Sequence, residues 1–345
     1  MPAIWKDSLG YSLVRHYANL CTRMSYFKLE VVGREHLPED GAIILAPNHC
    51  NALLDALVVA QAGHGPTAFA TRADIFKNPR TAKVLRYLKM LPFSRERDGI
   101  QEVSRNYAVF DEVVECLDHD VPFCIFSEGT HRAKRSLLPL KKGIFRIAIK
   151  ASRILDKPVY IIPVGLEYEE YFKYMRPARM SYGPSINVTE YIRSHPDASE
   201  GEVFSALSTS LHDRISGMIT YFPDDADYDR AFARWQEKHA HRPRWWEWGL
   251  APILLPFFLV FAVLSCPMWI ASGHIIRGLK DKAWANTVRL GTKAAMLPVM
   301  LISVCIPAFC LLPWYAGVTS VLMTVVAHSF FYHFLNMYNK LLFNK

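Results

Sequence analysis

Near the end of the chain two apolar runs, Ala294–Leu312 and Trp314–Asn336, contain no Asp, Glu, Lys or Arg, and Pro313 alone separates them. Each approaches the roughly 20 residues that cross a bilayer as a helix. Two such runs back to back read as a helical hairpin that crosses and returns. The competing arrangement, a pair of core helices in a soluble domain, is rare for adjacent uncharged runs of this length. The chain has 345 residues. At roughly 100–200 residues per domain, that is room for two domains or for one domain with an appendage.

A third apolar stretch, Leu250–Ala271, precedes the pair, with Arg242 and Arg244 before it and Arg277, Lys280 and Lys282 after it. A single crossing leaves one basic flank outside, against the positive-inside tendency. Pro252, Pro256 and Pro267 are also expected to break any straight helix there. Two arrangements stay open: an ordinary span, or a segment that dips into the membrane and returns to the side it left. In the second, the front domain, the loop 277–293 and the C-terminus are all cytoplasmic.

The basicity belongs to this tail. Of a net charge of +8, the residues from Gly249 onward hold +6, with seven bases and one acid, so Met1–Trp248 is nearly neutral. A nucleic-acid partner needs a basic face on the folded domain, and none is expected. Seven Cys is an odd count with no CxxC pair, which excludes a disulfide scaffold and fits buried thiols of a reducing compartment. Met1–Phe27 lacks the apolar core and cleavage site of a signal peptide. It carries Leu9, Leu13, Tyr17, Leu20 and Met24 at helical spacing beside Arg15 and Arg23. Residues 1–28 are therefore an expected amphipathic helix, either lying in the membrane interface or packing on its own domain.

Between these ends, residues 29–222 read as one folded domain. Strands are expected at Leu29–Val32, Ile43–Leu45, Ala68–Thr71, Pro122–Phe126, Val159–Val164 and Met180–Val188. Helices are expected at Leu53–Ala60, Thr81–Met90, Gln101–Leu117, Ile144–Ile154 and Gly201–Tyr221. Alternating strands and helices imply an α/β domain, a mostly parallel sheet flanked by helices, here followed by a C-terminal α-helical membrane hairpin. Residues 223–248 form a polar linker ending in Trp245, Trp246 and Trp248, where an aromatic belt would lie. Residues 249–345 are the membrane-associated region.

In sheets of this kind function collects at the carboxyl ends of the strands, and three such ends carry unusual residues. His49 and Asp55 follow the strand Ile43–Leu45. Six apart, they point about 120° away from each other on one regular helix. They meet only if His49 lies on the loop and Asp55 one turn inside the helix. A carboxylate on one ring nitrogen leaves the other as a base for a hydroxyl; the spacing alone is more often structural. Arg95, after Pro92, suits a phosphate gripped by two parallel bonds, or a surface pair with Glu96 or Asp98. Glu128-Gly129-Thr130 follows the strand Pro122–Phe126, where glycine permits close backbone approach and a tight turn can hold an anion. Lys141, Lys142 and Gly143 open the next helix with positive charge and free N–H groups, unless the lysines are solvated surface.

Together these blocks, in this order, resemble the glycerolipid acyltransferase family, the glycerol-3-phosphate and lysophosphatidate acyltransferases. The family pattern of Asn-His…Asp, Pro-x-x-Arg, Phe-Pro-Glu-Gly-Thr and a strand with Val/Ile-Pro is similar to Asn48-His49…Asp55, Pro92…Arg95, Phe126-Ser127-Glu128-Gly129-Thr130 and Ile162-Pro163-Val164. The blocks span about residues 31–168. Two departures stand out. Five residues separate His49 from Asp55 where most members have four; this form, with Leu137–Gly143, resembles the fungal-type glycerol-3-phosphate and dihydroxyacetone-phosphate branch and related bacterial proteins. Ser127 replaces the usual Pro, which alters loop stiffness and leaves Glu-Gly-Thr intact.

The resemblance implies that 29–222 is an acyltransferase catalytic domain, with His49 as the base and Asp55 orienting it. It implies that Asn48, Arg95, Glu128, Gly129, Thr130 and Lys141 bind substrate. The donor is a fatty acyl thioester of coenzyme A or acyl carrier protein, used as co-substrate with no bound cofactor and no metal. The acceptor is glycerol-3-phosphate, which the five-residue spacing favours, or 1-acyl-sn-glycerol-3-phosphate, on the route to phosphatidic acid in phospholipid biosynthesis. Another lipid hydroxyl or amino group is a further alternative. The expected site is the membrane, multi-pass or re-entrant at the C-terminus, with the catalytic domain cytoplasmic. His131 is expected to be a neighbour of the site rather than a ligand. A scaffold protein with a dead domain should have lost His49, Asp55 or Glu128, and all are present. A transporter should have more spans and a buried carboxylate within them.

Overall fold

Ile44, Leu45 and Ala46 are buried in β2 (Ala42–Pro47), the continuous apolar run expected of a strand covered on both faces. In the computed structural model, which describes residues 3–63, 65–94, 106–239 and 245–343 (the side chains at 305 and 343 excepted), β2 is a central strand of an eight-stranded sheet. The other strands are β1 (Leu29–Val32), β3 (Ala68–Arg72), β4 (Met90–Phe93), β5 (Phe123–Cys124), β6 (Val159–Tyr168), β7 (Ala178–Tyr182) and β8 (Ile186–Asn187). Their order is β1-β7-β6-β2-β5-β3-β4, with β8 beside β6. Ile44 pairs with Phe123 on one side and Ile161 on the other, both in parallel register. Most of the sheet is parallel, but β7 and β8 run antiparallel to β6.

Helices cover both faces. On one, α4 (Asn106–Asp118), α5 (Gly143–Ile154) and α7 (Glu200–Met218) bury Val113, Phe145 and Leu207 against Ile44 and Phe123. On the other, α2 (Leu53–Ala62) packs Val58 and Val59 on Leu45 and Ile162, and the same core continues into Phe261 and Phe331 of the tail. The architecture is α/β, mostly parallel and flanked by helices, with a helical apolar tail docked on one face.

Several boundaries differ from those read in the sequence. Met90, expected to end a helix, opens β4: α3 (Pro79–Tyr87) stops early and Lys89, at φ 59°, turns the chain into the strand. The strand expected over Met180–Val188 is two strands, because Gly183 and Pro184 interrupt it. Val188 begins α6 (Val188–Ser194), where Asn187 accepts the Glu190 N–H as a cap. The first part of the helix expected from Gln101 falls outside the described residues. At Gly33, φ is 78° and a Cβ would lie 2.1 Å from the Tyr182 carbonyl oxygen, so β1 can approach β7 only with glycine there.

α1 (Leu9–Arg23) forms as its apolar spacing predicts, and leaves Leu9 and Leu13 exposed. α8 (Tyr228–His239) occupies part of the segment read as a linker. The tail comprises α9 (Trp245–Leu264), α10 (Cys266–Arg277), a 3₁₀ turn (Lys282–Trp284), α11 (Ala285–Leu311) and α12 (Trp314–Phe343). Three helical segments here are long and apolar enough to cross a membrane: 245–264, 282–311 and 314–342. Pro252 and Pro256, expected to break the first of these, lie inside a continuous α9. A helix in an apolar setting tolerates proline because neighbours satisfy the freed carbonyls. Next to Pro252, Tyr338 donates its hydroxyl to the Ala251 oxygen, which ties this stretch of α9 to α12. The break comes at Ser265, and Pro267 sits in the first turn of α10, where no donor is missed.

Beyond that break α10 packs against α11, and Trp269 Nε1 donates back across the break to the Ala262 oxygen at 2.8 Å. The start of α9 is tied to the end of α12 by Glu247 and Lys340 at 2.9 Å. Asn336 of α12 reaches the connection between β6 and β7, donating to the Tyr174 oxygen at 2.6 Å. Beyond α10, Asp281 lies 2.7 Å from His131. Both outer ends of the α9–α10 pair therefore lie on the side of the α/β domain.

Candidate active site

The carboxyl end of β2 runs into a loop, Asn48–Ala52, and Ala52 at φ 48° swings the chain into α2. This sparsely populated conformation is held by what surrounds it. Asp55, in the first turn of α2, looks back at the loop and is wholly buried. Its Oδ2 accepts from His49 Nδ1 at 2.7 Å, from the Cys50 N–H at 2.8 Å and from the Asn51 N–H at 2.7 Å. Its Oδ1 accepts the Tyr168 hydroxyl at 2.7 Å. A carboxylate so engaged only accepts, so Nδ1 of His49 carries the proton and Nε2 holds the lone pair. The loop-then-helix arrangement needed for the pair to meet is the one observed.

The His49 side chain keeps 16% of its surface exposed. Its ring stacks on Phe126 at 4.1 Å, and His131 meets it nearly edge-on at 5.4 Å. Cys50 beside it is no competing nucleophile: burial pushes its thiol far up, and the Asp55 charge adds to this.

The remaining expected residues divide into two kinds. Asn48 is buried and bridges β2 to β6, donating to the Leu166 oxygen at 3.0 Å and accepting the Leu166 N–H at 2.6 Å. Glu128 is buried as well; its oxygens accept the His49 N–H at 2.7 Å and the Leu138 N–H at 2.8 Å. Burial raises the Glu128 carboxyl above its ordinary range, and these two bonds pull the other way. Gly129 and Thr130, by contrast, are exposed next to this clamp, with Gly129 at φ 71°. Lys141 lies against Gly129: a Cβ there would be 3.3 Å from Lys141 Cγ. Arg95 falls outside the described residues. Ser127, at the departure from the family pattern, is buried, and neither its hydroxyl nor the Asn51 carboxamide has a hydrogen-bond partner among the described residues.

His131, expected as a neighbour of the site, lies beside His49 and pairs with Asp281; Tyr168 and Asp281 are not singled out by the sequence. Tyr168 is the last residue of β6, the strand that carries Ile162-Pro163-Val164, and no local signal marks it. A groove of about 1280 Å³ opens between the β6–β7 connection, α8 and α12. Tyr168 lines it, whereas His49 does not. Among the described residues, no group of three His, Cys, Asp or Glu is arranged to hold a metal ion.

The geometry supplies a base with a fixed tautomer beside a glycine turn, at the carboxyl end of a central strand. Residues 28–167 match the acyltransferase family model. Two uncharacterized acyltransferases of Schizosaccharomyces pombe (strain 972 / ATCC 24843) are similar. One is 24% identical over 229 residues, 64% of this chain and 74% of that protein. The other is 23% identical over 125 residues, 36% of this chain and only 18% of that protein's length. Among solved structures, the 1-acyl-sn-glycerophosphate (LPA) acyltransferase PlsC from Thermotoga maritima aligns with a TM-score of 0.43 and 18% identity, over 60% of this chain and 79% of that one.

Proposed function

We propose that this chain, whose residues 28–167 form an acyltransferase-family domain, moves a fatty acyl group from a thioester to a hydroxyl of the glycerol-3-phosphate backbone at a membrane surface. The observation that carries the reading is the buried Asp55 holding Nδ1 of His49 at 2.7 Å, which leaves Nε2 as a base. Nε2 takes the proton of the acceptor hydroxyl. The oxygen attacks the thioester carbonyl, a C–O bond forms, and the C–S bond then breaks. The leaving thiolate recovers the proton from the imidazolium, and the products are an ester and a free thiol. Preorganised N–H donors must stabilise the tetrahedral oxyanion, and the exposed Gly129-Thr130 turn, next in sequence to the Glu128 that accepts the His49 N–H, is the candidate for that role.

In this reading Asn48 and Glu128 act by holding the motif loops. Gly129, Thr130 and Lys141, with Arg95, meet the acceptor's phosphate and glycerol. The donor is carried by coenzyme A or acyl carrier protein. Glycerol-3-phosphate is the acceptor we favour, on the strength of the five residues between His49 and Asp55. The product would then feed phosphatidic acid synthesis.

The tail suits an apolar product. We place α11 and α12 across the bilayer and the α9–α10 pair as a re-entrant hairpin, since both of its outer ends lie by the catalytic domain. Arg277, Lys280 and Lys282 lie on that side, and the turn at Pro313 carries no charge. The positive-inside tendency then puts the catalytic domain in the cytoplasm.

The test is acyl transfer by purified protein in detergent. Radiolabelled glycerol-3-phosphate and 1-acyl-glycerol-3-phosphate are offered separately with palmitoyl-CoA or palmitoyl-ACP, with His49→Ala as control. Lysophosphatidate formed by the wild type alone is the expected result. Consumption of only the 1-acyl acceptor moves the activity one step later. Acylation of neither sinks the reading.

A further inference from the structure

His131 stands between the active-site histidine and the tail. Its ring meets His49 at 5.4 Å and Trp284 at 6.1 Å, and its Nε2 lies 2.7 Å from Asp281 Oδ2. Asp281 and Trp284 bracket the entrance to α11. The second carboxylate oxygen, Oδ1, accepts the Ala283 N–H at 2.9 Å, so the loop's own backbone orients the carboxylate that faces His131. The His131 bond, followed by the Ala283 bond, holds the Asp281 carboxyl below its usual range. On the other side of the pair the backbone is tied down too. The Arg132 N–H donates to the His49 oxygen at 3.0 Å, and Arg132 and Lys134 both pair with Asp224.

The bond from Nδ1 to Asp55 fixes one edge of the His49 ring and leaves the ring free to tilt about it. Two walls remove that freedom. Phe126 stacks on the ring with the planes 26° apart, and His131 meets it at 72°. Phe126 belongs to the α/β domain. His131 takes its orientation from a residue 150 positions further on, in the tail. Asp281 is 52% exposed in its side chain, and an ion pair so open to water adds little stability. What it supplies is the direction of a ring, and misplacing a reacting group by about 1 Å can cost up to about a hundredfold in rate.

We infer that Asp281 is a positioning residue for acyl transfer: from the tail it fixes His131 as the second wall of the His49 slot, so the membrane-associated region completes the active site as well as anchoring it. The inference rests on the reading of His49 as the base.

Steady-state acyl transfer by the full-length protein in detergent tests it, normalised to folded protein, for Asp281→Ala, Asp281→Asn, Asp281→Glu, His131→Ala and the double variant Asp281→Ala/His131→Ala. Asp281→Asn can still cap Ala283 and so keeps the loop if Asp281→Ala does not. The expected result is a kcat about tenfold lower in Asp281→Ala and His131→Ala alike, with KM for thioester and acceptor within about twofold. The double variant should be no worse than either single one, because both act through one route. Asp281→Glu should recover part of the loss. A loss in Asp281→Ala that Asp281→Asn spares supports the inference, with the hydrogen bond rather than the charge as the fixing element. Unchanged kcat in both Asp281→Ala and Asp281→Asn overturns it, as do losses that multiply in the double variant or that appear only in KM. His49→Ala separates the two levels. If that protein is active, the base reading fails and the inference falls with it. If it is inactive while Asp281→Ala matches the wild type, the inference alone fails.

Discussion

Glu128 reaches out of one motif loop and accepts the backbone N–H of His49 in the other at 2.7 Å, while its second oxygen takes the Leu138 N–H at 2.8 Å. One buried side chain thereby joins the end of β2 to the segment that leads into α5. Glu128→Gln replaces one acceptor with a donor that faces an N–H. The cost expected is about 1–3 kcal/mol of stability, that of a buried donor left unmade, with a loosened His49 loop and lower activity.

The same residue makes stability depend on pH. Burial raises the Glu128 carboxyl above its ordinary 4.5, so the folded protein holds that proton more tightly than the unfolded chain. Its contribution to stability is then fully present below 4.5 and is lost as pH rises through the folded value. The wild type should lose stability relative to Glu128→Gln as pH climbs through that range. Melting curves of the two proteins over a pH series check this, and a difference that does not change with pH refutes it.

Asp55→Asn separates fold from chemistry. The amide oxygen can still accept the Cys50 and Asn51 N–H groups, and the Tyr168 hydroxyl can turn to accept from the amide nitrogen. The loop should therefore survive, with the melting temperature little changed. The imidazolium formed during transfer loses its counter-charge, and kcat should fall by about 10²–10⁴-fold, as for an aspartate behind a general-base histidine. A fall below tenfold in a properly folded variant would falsify the base assignment of His49.

How much of this was legible in the sequence follows from distance along the chain. His49 and Asp55 lie on one loop and the helix after it, so local geometry alone decides whether they meet, and the central strands were readable from continuous apolar runs. Tyr168 lies 113 positions from Asp55, and Asp281 lies 150 from His131. Only the folding of the sheet and the docking of the tail bring those pairs together. Asn48 and Glu128 were visible as polar residues in motifs, but the residue type does not say whether a side chain faces a ligand or the backbone. Pro252 and Pro256 misled because the cost of a proline in a helix depends on which neighbours satisfy the freed carbonyls.

Lys293 of α11 is fully buried and donates to the Met24 oxygen at 3.0 Å and to Ser329 Oγ at 2.9 Å. Met24 caps the end of α1, so this cation sits at the negative end of a helix dipole. Ser329 Oγ also donates to the Met24 oxygen at 2.6 Å. Lys293→Met fills the same space, removes a buried charge and leaves Met24 satisfied. Ser329→Ala leaves the charge with a single acceptor. Since an under-satisfied buried charge costs more than a well-packed apolar replacement, Ser329→Ala should melt lower in detergent than Lys293→Met. The opposite order refutes the account.

The path of the tail can be read with native cysteines. Cys310 is exposed near the far end of α11, before the turn at Pro313, and Cys266 sits at the break between α9 and α10. Maleimide reacts with thiols in water, so a thiol at mid-bilayer is protected from a membrane-impermeant reagent on either side. In sealed vesicles, a protein retaining only Cys310 should label from the side opposite the catalytic domain. One retaining only Cys266 should label from neither side. A cysteine introduced by Lys280→Cys should label from the catalytic side, because Asp281 next to it pairs with His131. If α9 were an ordinary span, Cys266 or the cysteine at position 280 would label from the far side. That result would also place the basic stretch of Arg277, Lys280 and Lys282 outside, and would detach Asp281 from the active site.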